Sequence, residues 1–181
     1  MADPMDRVSG GKRQAGQMLS VDIVLHSDAW RRAGIDENLL ERAAQNAYLM
    51  AGGSEGAGAE VAVALSSDEE VRRLNATWRD KDTPTNVLSF PAANEAVPHG
   101  DVRMLGDVVL AFETVSAEAR ASALGLSDHA AHLVVHGVLH LFGHDHENDA
   151  DARRMETLER QILTGLGVAD PYAVADAAES A

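Results

Sequence analysis

Six of the eight histidines of this 181-residue chain fall between residues 129 and 146. Within that stretch, His136-Gly137-Val138-Leu139-His140-Leu141-Phe142-Gly143-His144-Asp145-His146 has the spacing of a metal site. His136 and His140 stand four residues apart, so a helix puts both imidazoles on one face, one turn from each other. Gly143 accepts the left-handed backbone that a helix C-terminus needs, and the chain can then return His146 as a third nitrogen ligand. Three His with a fourth position open is the arrangement of a catalytic zinc. His144 competes for the third place, and His146 is preferred because Gly143 ends the helix first. His129 and His132 share the His136/His140 face and are read as supporting groups rather than ligands.

The same H-x3-H-x2-G-x2-H spacing occurs in a large class of zinc proteases, where Glu follows the first His as general base. Here that position is Gly137, which carries no proton. Either the base comes from elsewhere or the chemistry is not peptide hydrolysis. With no Cys in the chain, a thiolate site and a disulfide framework are both excluded.

The net charge of −14 argues against broad, nonspecific nucleic-acid binding. A nucleic-acid enzyme with this balance must gather its cations in one cleft or depend on a partner. Arg79 and Lys81 lie at a helix-to-loop junction. Arg79 is suited to grip a phosphate with two parallel hydrogen bonds, or else pairs at the surface with Asp80 or Asp82. Trp78, at helical spacing from Val71 and Leu74, is read as core, the alternative being a surface on which a base stacks.

Around these residues the pattern predicts strands at Ser20–Leu25, Glu60–Leu65, Asn86–Phe90 and Leu105–Phe112. A polar loop is expected over 92–104. Helices follow Asp36 and Ser67, each a side-chain cap, and Thr114 begins another that stops at Gly125. Ser127 is expected to cap the His helix, which is apolar nearly all round and therefore central. Asn148 or Asp149 caps a last helix whose inner face is Met155, Leu158 and Ile162. Asp107, at the start of its strand, is read as a turn residue, with a histidine or a partner as alternative contacts. The order is strand, helix, strand, helix, two strands and three helices. This is an α+β fold, a small mixed sheet of about four strands covered by helices, with a central His-bearing helix and a zincin-like metal site. Residues 1–17 read as a disordered leader, 18–167 as one domain and 168–181 as a flexible acidic tail. No apolar run reaches the length of a membrane span, and no signal-peptide core is present.

Three segments resemble the YbeY-type single-strand-specific endoribonucleases, the bacterial rRNA maturation factors. They are Leu74-Asn75 with Arg79 and Thr85-Asn86-Val87-Leu88-Ser89-Phe90-Pro91, then Leu105-Gly106-Asp107, then the His136 to His146 motif. Together they span most of residues 20–165. The resemblance implies one zinc-type ion on His136, His140 and His146, with other divalent transition metals possible, and a functional Arg79. It implies metal-dependent cleavage of single-stranded RNA, 16S rRNA 3′-end processing and ribosome quality control in the cytoplasm. The implied partners are rRNA and the small ribosomal subunit or its proteins, and no membrane. His144 stands where many members carry Tyr. Two rival readings are a ribosome-assembly factor with a structural ion, whose acidic surface suits a basic protein, and a metalloprotease-like hydrolase.

Overall fold

The computed structural model describes residues 19–53, 58–93, 102–144 and 148–173. Four strands form one sheet: β1 (Leu19–Leu25), β2 (Ala59–Ser66), β3 (Val87–Pro91) and β4 (Arg103–Ala111). Their spatial order is β1-β2-β4-β3. The first three in that order run parallel, and β3 lies antiparallel to β4 at the edge. The helices are α1 (Asp28–Arg32), α2 (Glu37–Met50), α3 (Asp68–Arg79), α4 (Phe112–Ala121), α5 (Leu126–Leu141) and α6 (Asp149–Leu166). The mixed sheet covered by helices is the expected architecture. The short α1 is an addition, capped by Ser27, whose Oγ accepts from Ala29 N–H at 3.3 Å.

Side-chain alternation sorts the strands onto two faces. Val63, Leu65, Val108 and Leu110 face the main core, with Leu40, Ala43 and Ala47 of α2, Val134 and Val138 of α5, and Leu163 of α6. Ala64, Leu88, Val109 and Ala111 face the other way, onto Val71 of α3. β2 and β4 are buried on both faces and read as nearly continuous apolar runs, as interior parallel strands do. The His helix α5 lies over β3 and β4 and packs against α2, α4 and α6.

Several local expectations shift. The segment read as a loop up to residue 104 already contains the start of β4, because Arg103 and Met104 pair with Ala59 and Glu60. Asp107 is no turn residue. It is interior to β4, 5% exposed, and by alternation shares the face of Val109, turned from α5. Helix α4 starts at Phe112 rather than Thr114 and ends at Ala121, well before Gly125. Its N-terminus has no cap of its own. Asp68 of α3 supplies one, accepting from Thr114 N–H at 3.0 Å and Thr114 Oγ1 at 2.8 Å. Glu113 returns the bond by accepting from Asp68 N–H at 2.8 Å. The described part of the segment read as a tail is packed, since Val168 is buried.

The register of β2 against β4 slips between Glu60 and Val61, so that Leu105 is bulged out of the pairing. Gly106 follows at φ 136°, where a Cβ would lie 2.2 Å from the Phe90 carbonyl oxygen. Only glycine fits there. Gly106→Ala is expected to cost at least about 2 kcal/mol, from backbone strain and a clash with a neighbouring strand. Urea denaturation of the purified chain measures it; a change within about 0.5 kcal/mol would mean that the bulge relaxes freely.

Candidate functional site

Helix α5 is held by Ala130, Ala131, Leu133, Val134, Val135, Val138 and Leu139, all buried, which leaves His129, His132, His136 and His140 as one stripe. Its N-cap is Gly125, with no side-chain cap, so Ser127 is not the cap expected. The helix begins one residue earlier than Ser127, and the hydroxyl instead accepts from Asp36 N–H at 3.0 Å, tying α5 to the entry of α2. The C-terminus ends as expected at Gly143, φ 82°. Gly143 N–H donates to His140 O at 2.9 Å and His144 N–H to Leu139 O at 3.2 Å, a Schellman turn. The backbone of His144 is therefore occupied in closing the helix.

His136 and His140 meet as their spacing requires. Their Nε2 atoms are 3.0 Å apart and their ring centroids 4.5 Å. Two imidazoles on a tetrahedral zinc at 2.0–2.1 Å hold their nitrogens about 3.3 Å apart, so small ring rotations separate this pair from a ligand pair. His146, the expected third ligand, lies outside the described residues. Among the described residues no group of three or more His, Asp or Glu is arranged to hold an ion.

One carboxylate stands behind the pair. Glu159 of α6 is 1% exposed; its Oε1 lies 2.7 Å from His136 Nδ1, and its Oε2 lies 3.3 Å from His132 Nε2 and accepts from the Tyr172 hydroxyl. Burial by itself raises its pKa, but the hydrogen bonds from His132 and His136 more than offset this and hold the group at about 2. Burial, and then the Glu159 charge, push the Tyr172 hydroxyl upward, so it stays a donor. An ionised carboxylate only accepts, so the His136 Nδ1 that faces Glu159 is the donor of that hydrogen bond. The sequence reading missed Glu159. The signal was present: it lies four residues after Met155 and three before Ile162, on the inner face of α6.

His129 belongs to a second cluster. Its Nε2 is 2.8 Å from Glu118, which also accepts from Asn86 at 3.1 Å. Asn86 in turn accepts from Val87 N–H at 2.8 Å, so this network seats the start of β3 against α4 and α5.

Arg79 is the last residue of α3 and makes no ion pair with Asp80 or Asp82; Asp82 pairs with Arg72, and Asp80 is the left-handed C-cap, φ 55°. The Arg79 guanidinium donates to Ser89 O at 3.4 Å, and Ser89 Oγ donates to Gly137 O at 3.1 Å. Ser89 thus links Arg79 to the turn of α5 between the two histidines. Trp78 is not core. It is 41% exposed, and its ring leans on Phe90 of the edge strand with centroids 6.3 Å apart. Beside His140 an open cleft of about 310 Å³ is lined by Pro91, Ala92, Arg103, Phe142 and Gly143.

Gly137 explains the missing protease base. A Cβ there would lie 2.6 Å from Val108 Cγ1 and 3.1 Å from Ser89 Oγ, so the position faces the sheet and has no room for Glu.

A small mixed sheet carrying a His pair on a buried helix, with the Arg79 guanidinium bonded to Ser89 O at the sheet edge, is an α/β protein with a candidate metal centre. Comparison with known proteins names the family. The sequence pattern described as Endoribonuclease YbeY matches residues 26–167, and the chain belongs to that family. The chain is 48% identical over 157 residues to the endoribonuclease YbeY of Azorhizobium caulinodans, covering 86% of this chain and 98% of that one. It is 46% identical over 176 residues to that of Parvibaculum lavamentivorans, covering 93% of each. The solution structure of a Thermotoga maritima protein superposes with a TM-score of 0.54 at 27% identity, over 81% of this chain and 88% of that one. Membership of this family makes the chain an endoribonuclease, with RNA as its substrate.

Gly137→Ala gains up to about 1 kcal/mol in helix propensity and loses about 1–3 kcal/mol by overpacking. A net loss of stability is expected, reversed to a gain in a Val108→Ala background, where the clashing methyls are gone. A double-mutant cycle by urea denaturation measures this; additive effects would mean that Val108 is not the obstacle.

Proposed function

We propose that the chain is a metal-dependent, single-strand-specific endoribonuclease that matures rRNA, including the 16S 3′ end, and serves ribosome quality control in the cytoplasm. The observation that carries the metal reading is the His136–His140 pair, with Nε2 atoms 3.0 Å apart on a rigid, buried helix. His136, His140 and His146 would hold one ion. Zinc suits three imidazoles, and other divalent transition metals suit them too. When bound, the ion supplies Lewis acidity at a phosphoryl oxygen.

The chain's own residues do the rest. Arg79, anchored on Ser89, binds the scissile phosphate and offsets its developing charge. Arg103 on the cleft wall beside His140 gives the backbone a second cationic contact. Trp78, exposed at the sheet edge and one residue from Arg79, offers an unpaired base a face on which to stack, which a duplex could not use. The net charge of −14 keeps affinity for bare RNA low, so basic small-subunit proteins are suitable partners for delivery. Among the described residues no helix is long and apolar enough to cross a membrane.

The test is cleavage of a single-stranded RNA by the full chain, stripped with a chelator and reloaded with zinc. Activity should vanish on stripping, return with zinc, and stay absent in His140→Ala. Arg79→Ala should lower turnover by about 10²–10³ with zinc content unchanged. A zinc-loaded, folded protein no faster than His140→Ala would shift the reading to an assembly factor with a structural ion.

Trp78→Ala should weaken single-stranded RNA binding by about 1–3 kcal/mol while leaving stability and zinc uptake intact. Fluorescence anisotropy with a labelled oligonucleotide checks it, and unchanged affinity removes Trp78 from the RNA path.

A further inference from the structure

Glu159 is the most deeply buried charged side chain among the described residues. Nothing about its place on α6 requires a carboxylate for packing. Its helix neighbours Met155, Ile162 and Leu163 fill the core with apolar groups. A buried carboxylate is strongly unfavourable unless its oxygens are well bonded. Here the bonds are divided by function. Oε1 meets His136 Nδ1 at 2.7 Å, while Oε2 is met by Tyr172 and, at 3.3 Å, by His132 Nε2.

Tyr172 is itself held. Its backbone N–H donates to Asp170 Oδ1 at 2.9 Å, Asp170 pairs with Arg160 at 3.0 Å, and the Arg160 guanidinium lies 5.1 Å from the Tyr172 ring centroid. The segment after α6 is thereby folded back along its helix so that the phenol caps the far side of the carboxylate. With Oε2 clamped, the carboxylate plane is fixed and Oε1 stays in line with His136.

We infer that Glu159 is a positioning residue for the His136 ligand, with Tyr172 locking its carboxylate from behind. The inference rests on the metal reading of His136 and His140 given above. Neutral imidazole in water favours the Nε2–H tautomer, which cannot ligate through Nε2. A carboxylate on Nδ1 selects the other tautomer, keeps Nε2 bare and stops the ring from swinging away from His140. His132 takes no part as a ligand: its Nε2 faces Glu159, and its buried Nδ1 has no hydrogen-bond partner among the described residues. It fills the remaining lone pair of Oε2.

The test uses the full chain, zinc as the probe, and Glu159→Leu, Glu159→Gln, Tyr172→Phe and Leu163→Ala. Zinc affinity is read by competition with a chromophoric chelator. The His136 tautomer in zinc-free protein is read by long-range ¹H–¹⁵N NMR, and melting temperature by circular dichroism. Glu159→Leu should lower zinc affinity about 10- to 100-fold and move His136 towards Nε2–H. Glu159→Gln, whose carbonyl can still accept from Nδ1, should recover most of that loss, and Tyr172→Phe should lose only a few-fold. Leu163→Ala, a buried neighbour on the same helix, should lower the melting temperature with no change in zinc affinity. Wild-type zinc affinity in Glu159→Leu, or an equal loss in Leu163→Ala, overturns the inference while leaving the metal reading standing. If the leucine variant does not fold, an Nε2–H tautomer of His136 in the wild-type protein overturns it instead. Failure of the wild-type chain to take up zinc at all sinks both readings.

Discussion

The site depends on how closely α5 approaches the sheet at Gly137. No side chain stands between that turn of the helix and Val108, and Ser89 Oγ reaches the Gly137 carbonyl directly. Because interiors are close-packed, a contact of this kind leaves the helix little freedom to slide or rotate. His136 and His140, on the two sides of Gly137, inherit that rigidity. So does the connection to Arg79, which reaches the same strand residue from the other side of the sheet edge. The His136–His140 pair and the Arg79 guanidinium are thus held in one frame by a single small residue, and the same lack of space rules out the glutamate on which a protease would depend.

The electrostatics of the site are arranged from behind rather than from the solvent side. The stripe of imidazoles on α5 meets two carboxylates, Glu118 at one end and Glu159 near the other. Each carboxylate has more than one donor, and for Glu159, which is buried, these offset the desolvation of its charge. The donors also fix which ring nitrogen holds a proton. In His136 the nitrogen facing α6, Nδ1, is the one that donates to Glu159.

An acidic enzyme acting on RNA must confine attraction to a small region. Arg79 and Arg103 flank the site, while Arg72 and Arg73 on the same helix as Arg79 are paired with Asp82 and Glu69. Pairing cancels much of their pull on a phosphate chain, whereas among the described residues Arg79 makes no ion pair and donates to the Ser89 carbonyl instead. On the proposed function, the exposed indole of Trp78 beside it would add a contact that depends on unpaired bases rather than on charge.

Much of the fold was legible because its signals are local. The capping residues Asp36, Ser67 and Asn148 mark helix starts, the apolar runs of β2 and β4 mark buried strands, and Gly143 marks the end of the His helix. The meeting of His136 and His140 follows from helical spacing alone. The sequence by itself determined these, and through its motifs it determined the family. What only the tertiary structure decided involves partners distant in the chain. Ser127 has the chemistry of a cap, yet bonds Asp36, ninety-one positions away. Helix α4 is capped by Asp68 of another helix. Trp78 has helical spacing for the core but is exposed at the sheet edge, and Asp107 sits inside a strand rather than at a turn. Glu159, on an apolar face by periodicity, is a carboxylate there because two histidines and a tyrosine converge on it. Local pattern reports which face of an element is buried; it does not report which polar group waits on the other side, because that contact exists only once the elements have packed.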